Sequence, residues 1–178
     1  MNLDLLYGIL NLDFWGYVLV TFLMVQVTFM GVTLYLHRDA THRSLDLHPI
    51  LRHFFRFWLW MSSGILTREW VAVHRKHHAR CETPEDPHSP VIFGIKKVLL
   101  EGAELYQAAA RDPEVVEKYG RGTPNDWIER NLYSRYRNAG IVAMVIVDLI
   151  LFGVPGIIIL AVQMLANPLM AAGVVNGI

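Results

Sequence analysis

The feature of this sequence that most constrains its fold is the separation of its apolar residues into two blocks. Residues 14–36 carry no charge, and residues 139–178 carry a single one, Asp148. At ~1.5 Å rise per residue, a helix as long as the first block crosses a hydrocarbon core of ~30 Å. The region between the blocks holds nearly all of the charged residues. This distribution predicts an all-α integral membrane helical bundle with one water-facing helical region.

Three membrane-spanning helices are predicted, at residues 14–36, 139–153 and 157–178, with a glycine- and proline-containing turn between the last two. Arginines follow the first span and precede the second, whereas the residues before Phe14 include two aspartates and no lysine or arginine. The positive-inside rule therefore places the N-terminus outside and the polar region in the cytoplasm. We expect a multi-pass protein, with a bacterial inner membrane as the favoured location. The sequence is still apolar at Ile178, so we also expect a chain that is truncated within its last span.

Five of the eight histidines fall in two short clusters. His74, His77 and His78 have the spacing i, i+3, i+4, which on a helix places three imidazoles on one face. Imidazoles packed so closely repel one another when protonated, which favours neutral rings bound to a metal over a solvated, histidine-rich helix face. His37 and His42 are five residues apart, which is about 140° on an ideal α-helix. They reach one site only if the helix ends or unwinds between them; otherwise they serve two different ions.

A third apolar segment, residues 50–66, contains Arg52 and Arg56 and lies between the two histidine clusters. A full crossing of the bilayer by this segment would place the clusters on opposite sides, where they could not share a site. We therefore predict an interfacial helix, with its two arginines extending outward to the lipid head groups.

The remaining polar region, residues 67–138, is predicted to be the cytoplasmic helical domain. Residues 96–112 have the pattern of an amphipathic helix. A second helix is expected to begin at Thr123, as N-cap ahead of Pro124, and to run to about Arg137.

The types of ligand present narrow the choice of metal. Imidazoles without cysteine suit iron, zinc, copper or nickel. Cys81 is the only cysteine, which excludes an intrachain disulfide and a cysteine-ligated cluster. The His-Glu-x-x-His motif of zinc proteases is absent, because Arg75 and Lys76 occupy the central positions of the candidate pairs. The number of histidines favours more than one ion, and a formal net charge of zero gives no indication of a nucleic-acid partner.

The two clusters, His-x4-His and then His-x2-His-His, resemble the histidine boxes of the membrane fatty acid desaturases. The stretches HRDATHRSLDLHP (37–49), EWVAVHRKHH (69–78) and EDPHSP (85–90) are similar to the surroundings of these boxes in the Δ9 acyl-CoA and acyl-lipid branch. In that family a further histidine box lies in a C-terminal cytoplasmic segment, and this box is absent from the present sequence. Asn176 matches the first position of the Asn-x3-His motif that the family carries in its fourth span.

The resemblance implies a fatty acyl desaturase that inserts a cis double bond into a long acyl chain. It implies two iron ions, O2 as co-substrate and five metal ligands: His37, His42, His74, His77 and His78. Removing hydrogen from an unactivated methylene requires a redox-active metal, which excludes zinc. No flavin, haem or iron–sulfur signature is present, so two electrons must come from a separate donor protein. The other expected partners are the acyl substrate, as acyl-CoA or acyl-lipid, and the lipid bilayer.

Further residues are expected to act around the ligands. Asn176, Asp86 and His88 are predicted to reach the iron-bound imidazoles through hydrogen bonds or water. Three basic residues are either candidates for binding a phosphate-bearing head group or ordinary positive-inside residues: Arg75, Lys76 and Arg80. Two alternative functions stay open, a membrane di-iron alkyl hydroxylase and a non-catalytic metal-binding membrane protein. With ligands missing, the fragment alone is expected to be inactive.

Overall fold

The computed structural model describes residues 4–169, and every regular element in this range is helical. In chain order the elements are α1 (Asp4–Tyr7), α2 (Phe14–Met30) with a π-helical continuation (Gly31–Thr41), α3 (Pro49–Ser63), α4 (Thr67–Arg80), α5 (Pro90–Phe93), α6 (Ile95–Ala110), α7 (Pro113–Tyr119), a short π-helical turn (Glu129–Tyr133), α8 (Arg137–Phe152) and α9 (Val154–Pro168). The predicted all-α class is confirmed. Asn176 and residues 170–178 of the predicted last span lie outside the described residues.

The first predicted span is a continuous helix formed by α2 and its π-helical continuation. Among the described residues this is the one helix that is long and apolar enough to cross a membrane. Asp13 caps its start by accepting a hydrogen bond from Gly16 N at 2.7 Å. Large apolar side chains on its surface are exposed, Trp15 by 72% and Phe22 by 57%, which requires an apolar environment or a partner. The helix ends at Thr41 rather than at residue 36, so both members of the first histidine cluster lie at its end.

The second apolar block forms α8 and α9, which pack against each other, while α9 also packs against α2. The two helices have 16 and 15 described residues, each fewer than the ~20 of a typical span. The break between them is Gly153 alone, with φ 66°, because Pro155 fits into the first turn of α9. A side chain at Gly153 is sterically excluded by the carbonyl group of Leu6.

The segment predicted to lie at the interface forms α3, which ends at Gly64 in a left-handed conformation with φ 63°. Its 15 residues span only ~22 Å, less than the ~30 Å of a hydrocarbon core. The prediction that Arg56 extends outward is wrong, because its side chain is only 8% exposed. It donates to Asp126 at 2.6 Å and to Glu129 at 2.9 Å. The bond from Arg56 lowers the pKa of Asp126 to about 2, so this ion pair ties α3 to the polar region.

The polar region follows the sequence prediction in part. The helix α6 corresponds closely to the predicted amphipathic helix at 96–112. The helix expected to begin at Thr123 begins after Asp126 instead, whose carboxylate accepts from Glu129 N at 2.9 Å. The Thr123 hydroxyl is already used, since it donates to the Gly120 carbonyl at 2.8 Å. This helical segment is also shorter than predicted, because a new helix, α8, starts at Arg137.

A small buried core lies between the helices that carry the histidines. Tyr35 and Leu36 from the π-helical segment pack with Phe55 and Leu59 of α3. The Tyr35 hydroxyl lies 3.0 Å from the Thr67 hydroxyl at the start of α4. This core fixes α3, α4 and the π-helical segment relative to one another, and thereby the two histidine clusters.

Candidate metal centre

The π-helical continuation of α2 determines the geometry of the first histidine pair. His42 N donates to the His37 carbonyl at 3.0 Å, and the Thr41 hydroxyl donates to the Leu36 carbonyl at 2.8 Å, both across five residues. Bonding between residues i and i+5 places such residues one above the other, whereas an α-helix would separate them by about 140°. The two imidazole centroids are 4.5 Å apart. The helix therefore has π-helical rather than α-helical geometry between the two histidines. This agrees with the sequence interpretation in which the helix unwinds and both rings reach one site.

The second cluster lies on α4 with ordinary α-helical spacing and meets the first. The His74 ring centroid lies 4.9 Å from that of His37 and 5.5 Å from that of His42. The His78 ring lies 4.6 Å from His74 and 4.8 Å from His42. The structure thus brings together four of the five predicted ligands, whose ligand atoms all lie within 4.8 Å of one another.

The spacing and protonation of this four-histidine cluster fit a metal ion. Metal–nitrogen bonds of about 2.0–2.1 Å hold adjacent ligand nitrogens about 3 Å apart. The Nε2 atoms of His74 and His78 are separated by 3.1 Å. Burial, together with the neighbouring histidines, lowers the pKa of His74 to about 2, and burial also lowers the pKa of His78. Both rings are therefore neutral near pH 7, the form in which imidazole binds a metal.

The fifth predicted ligand, His77, lies in a second group with Asp86 and His88. Its Nδ1 is 2.9 Å and 3.0 Å from the two carboxylate oxygens of Asp86, which is fully buried. The same carboxylate accepts from the backbone N–H groups of Glu82 and His88. Because Asp86 bonds Nδ1, it leaves Nε2 of His77 as the atom with a lone pair for a metal. This is the arrangement expected if Asp86 orients a ligand rather than binding the ion itself.

His88 lies beside His77, with ring centroids 4.4 Å apart, and its side chain is 12% exposed. Its Nδ1 is buried without a hydrogen-bond partner among the described residues. Burial lowers the pKa of His88 to about 4, so the ring is neutral. A neutral, unpaired ring nitrogen next to His77 makes His88 a potential ligand as well as a hydrogen-bonding neighbour.

Arg75 connects the two histidine-bearing helices. Its NH2 atom donates to the carbonyls of Ala40 at 2.9 Å and Thr41 at 3.2 Å. Its NH1 atom donates to the carbonyls of Tyr119 at 3.1 Å and Arg121 at 2.7 Å. Both terminal nitrogens are engaged by the backbone, so Arg75 holds the two helices together, and its contact with a head group stays a prediction.

Two further residues that were not predicted from the sequence, Asp39 and Trp70, support the cluster. Asp39 accepts from Arg52 Nε at 2.8 Å and from Leu47 N at 3.0 Å, which fastens the end of the π-helical segment to α3. Trp70 stacks on His74 with a centroid distance of 4.8 Å and an interplanar angle of 20°. The four-residue spacing of Trp70 and His74 was a signal for this contact, because residues four apart share a helix face.

An apolar cavity of about 440 Å³ runs alongside the cluster. Three histidines line it, His37, His74 and His88, together with apolar side chains that include Trp70 and Val73. Its volume is in the range of ligand-binding pockets. A chain-like apolar molecule in this cavity would lie directly against the candidate ligands.

A second cavity, of about 380 Å³, adjoins the first and has a more polar lining. It contains Glu69, Arg111, Arg137 and Asn138, and the carboxylate of Glu69 accepts a hydrogen bond from Arg137. The two cavities share several wall residues: Ser63, Ile65, Tyr106, Gln107 and Met164. None of the predicted head-group residues, Arg75, Lys76 and Arg80, lines either cavity.

Fold and site together define a helical protein whose histidine-rich centre adjoins an apolar cavity. In a comparison with protein families, the model of the family described as fatty acid desaturase matches residues 13–178 of this sequence. The chain belongs to the fatty acid desaturase family, as the resemblance of its histidine boxes predicted.

Curated relatives support this assignment. A probable chloroplastic lipid desaturase of Arabidopsis thaliana is 40% identical over 72 residues, which cover 38% of this chain and 19% of the relative. Delta-9 acyl-lipid desaturase 1 of the same plant is 28% identical over 123 residues, which cover 68% of this chain and 38% of the relative. An acyl-CoA 5-desaturase of Anemone leveillei is 41% identical over 91 residues, or 44% of this chain and 27% of the relative. The chain thus spans less than two fifths of each of these proteins, and no solved structure matches it.

Proposed function

We propose that the protein is an O2-dependent fatty acyl desaturase that inserts a cis double bond into a long acyl chain at a di-iron centre. The observation that carries this proposal is the apolar cavity, because His37 and His74 belong both to its wall and to the four-histidine cluster. A metal held by the cluster would face the methylene groups of a chain in the cavity. The curated relatives, named as lipid, acyl-lipid and acyl-CoA desaturases, agree in substrate class.

The candidate ligands suit iron, since neutral imidazoles bind iron and several other transition metals. His37, His42, His74 and His78 would hold one ion, and His77 would contribute Nε2 to a second. When bound, the two irons supply the redox chemistry by which one –CH2–CH2– unit, O2, two electrons and two protons become –CH=CH– and two water molecules. The electrons come from a separate donor protein.

The chain's own residues would position the substrate and the ligands. The apolar wall of the cavity excludes water from the acyl chain and holds it against His74. Trp70, in the same cavity wall, stacks on His74 and limits the movement of the ring. Asp86 keeps a proton on Nδ1 of His77 and so keeps Nε2 directed to the metal.

We further propose a multi-pass membrane location with the histidine boxes on the cytoplasmic side. The apolar length of α2 and the exposed apolar side chains of α8 and α9 support this topology. The arginines that flank the apolar blocks support the orientation. In the same proposal, Asn176 and His88 reach the iron-bound imidazoles through hydrogen bonds or water, and Arg75, Lys76 and Arg80 remain candidates for head-group contact.

The test is the production of unsaturated lipid by the iron-loaded protein, expressed from its complete gene in cells that lack other desaturases. Wild-type protein should form monounsaturated chains from saturated ones. His77→Ala should form none, because it removes a ligand of the second ion. The matched control is His53→Ala, since His53 lies near Tyr133 and outside both metal groups. Wild-type protein that produces hydroxylated chains instead, or an active His77→Ala variant, would contradict the proposal.

A further inference from the structure

Tyr106 of α6 lies in the wall between the two cavities. Its hydroxyl oxygen is buried and has no hydrogen-bond partner among the described residues. Burial and the nearby carboxylate of Glu69 raise the pKa of Tyr106, so the hydroxyl keeps its proton. A buried hydroxyl without a partner is unfavourable in a folded protein, so a bound molecule that brought an acceptor would stabilise it.

The chemistry on the two sides of Tyr106 is different. On one side the apolar cavity passes Trp70 and His74, and its wall suits methylene groups. On the other side the polar cavity holds Arg111, Asn138 and the Glu69–Arg137 ion pair. An acyl ester or thioester has the same division, with an apolar chain on one side of its carbonyl group and a polar carrier on the other. The carbonyl oxygen of the ester or thioester accepts hydrogen bonds and donates none, so it can pair with the hydroxyl hydrogen of Tyr106.

We propose that Tyr106 binds the carbonyl oxygen of the acyl substrate and thereby sets which carbons of the chain lie against the histidine cluster. This inference rests on the proposed function, because it takes the occupant of the apolar cavity to be an acyl chain. The hydrogen bond fixes the carbonyl at the boundary of the cavities, and the chain extends from there past His74. The position of the new double bond is then counted from the carbonyl end, and the polar cavity receives the carrier.

The opposite placement, with the methyl end of the chain at Tyr106, leaves the hydroxyl unpaired against hydrocarbon. In that placement Tyr106 would act only through the bulk of its ring, and phenylalanine would do this equally well. The substitution Tyr106→Phe therefore separates the two placements, since it removes the hydroxyl and keeps the ring.

The first experiment compares the products of wild-type and Tyr106→Phe protein, each iron-loaded and expressed from its complete gene. We expect the variant to spread the double bond over neighbouring positions and to raise KM about three- to tenfold, with a smaller change in kcat. Tyr136→Phe is the matched control, because Tyr136 is half-exposed and lines neither cavity. An unchanged double-bond position and KM in Tyr106→Phe would overturn the inference and leave the proposed function intact.

The second experiment measures equilibrium binding of methyl stearate and of octadecyl methyl ether, which lacks the carbonyl group. Wild-type protein should prefer the ester about three- to tenfold, and Tyr106→Phe should bind both compounds alike. A Tyr106→Ala variant that accepts longer chains, with Tyr106→Phe behaving as wild type, would assign Tyr106 to the methyl end and overturn the inference. Wild-type protein that neither binds nor desaturates the ester would overturn the proposed function together with this inference.

Discussion

The two helices that carry the histidines reach the same site with different backbone geometries. On α4 the spacing of His74 and His78 is that of an ordinary α-helix, so both rings share a face without any distortion. On the continuation of α2, His37 and His42 share a face only because the backbone changes to i→i+5 hydrogen bonds. The first arrangement follows from local helix periodicity, whereas the second requires a rare backbone form.

The π-helical segment is held by contacts that α4 does not require. The Thr41 hydroxyl bonds the Leu36 carbonyl, Arg75 bonds the carbonyls at the end of the segment, and Asp39 bonds Arg52 of α3. A π-turn near a functional site is a recurring feature of helical proteins. From this comparison we infer that two histidines five residues apart at the end of a long helix indicate a π-helical turn when a second histidine cluster lies nearby.

The largest expected effect tests whether the two helices share one ion. His42→Ala removes a proposed metal ligand from the π-helical segment, and His74→Ala removes a proposed metal ligand from α4. Both should lower affinity for the first iron more than about 100-fold and abolish desaturation, because both rings belong to the same cluster. Iron per protein, measured by mass spectrometry, should fall equally in the two variants and stay unchanged in His53→Ala. Loss of iron in only one of the two would show that the helices bind separate ions.

The next prediction concerns the second candidate metal group, His77, Asp86 and His88, whose residues all lie on α4 or in the loop that follows it. Asp86→Asn should weaken iron binding about 10- to 100-fold, because an amide holds His77 in the metal-binding tautomer less well than a carboxylate does. Asp46→Asn is the control, since the Asp46 side chain is 95% exposed and belongs to neither metal group. Iron titration of the two variants is the measurement, and equal affinities would exclude an orienting role for Asp86.

Part of this site was predictable from sequence, because local spacing determines it. The helix of His74 and the apolar length of α2 follow from periodicity and composition, whereas the spacing of His37 and His42 left open whether they share a site. The contacts of Arg56 and the position of Tyr106 between the two cavities were not predictable, since each depends on elements far apart in the chain: Arg56 meets Asp126 across 70 residues. The burial of Arg56 was not predicted, because a charge in an apolar segment usually lies at the membrane surface, whereas here the half-exposed carboxylate of Asp126 and the buried carboxylate of Glu129 neutralise it.

A smaller effect distinguishes the two roles considered for Arg75. Arg75→Lys cannot reach carbonyls on both sides, so we expect a loss of about 2 kcal/mol in the free energy of unfolding. Iron binding at the π-helical segment should weaken as well, because His42 adjoins the released carbonyls. Arg80→Lys, which alters an exposed pair with Glu85, is the control and should change stability little. A variant with normal stability and iron binding but a raised KM would restore the head-group role of Arg75.

The smallest effect isolates the π-turn itself. Thr41→Val keeps the size and branching of the side chain but removes the hydroxyl that donates to Leu36 across five residues. Thr21→Val is the matched control, because Thr21 makes the ordinary four-residue bond to the Tyr17 carbonyl at 2.7 Å. Each substitution removes one hydrogen bond and should cost about 1 kcal/mol of stability by denaturant titration. Only Thr41→Val should also weaken iron binding, by about three- to fivefold, because the lost bond allows the turn to relax towards an α-helix and separates His37 from His42. If the two variants bind iron with equal affinity, the backbone alone maintains the π-turn, and the hydroxyl contributes only to stability.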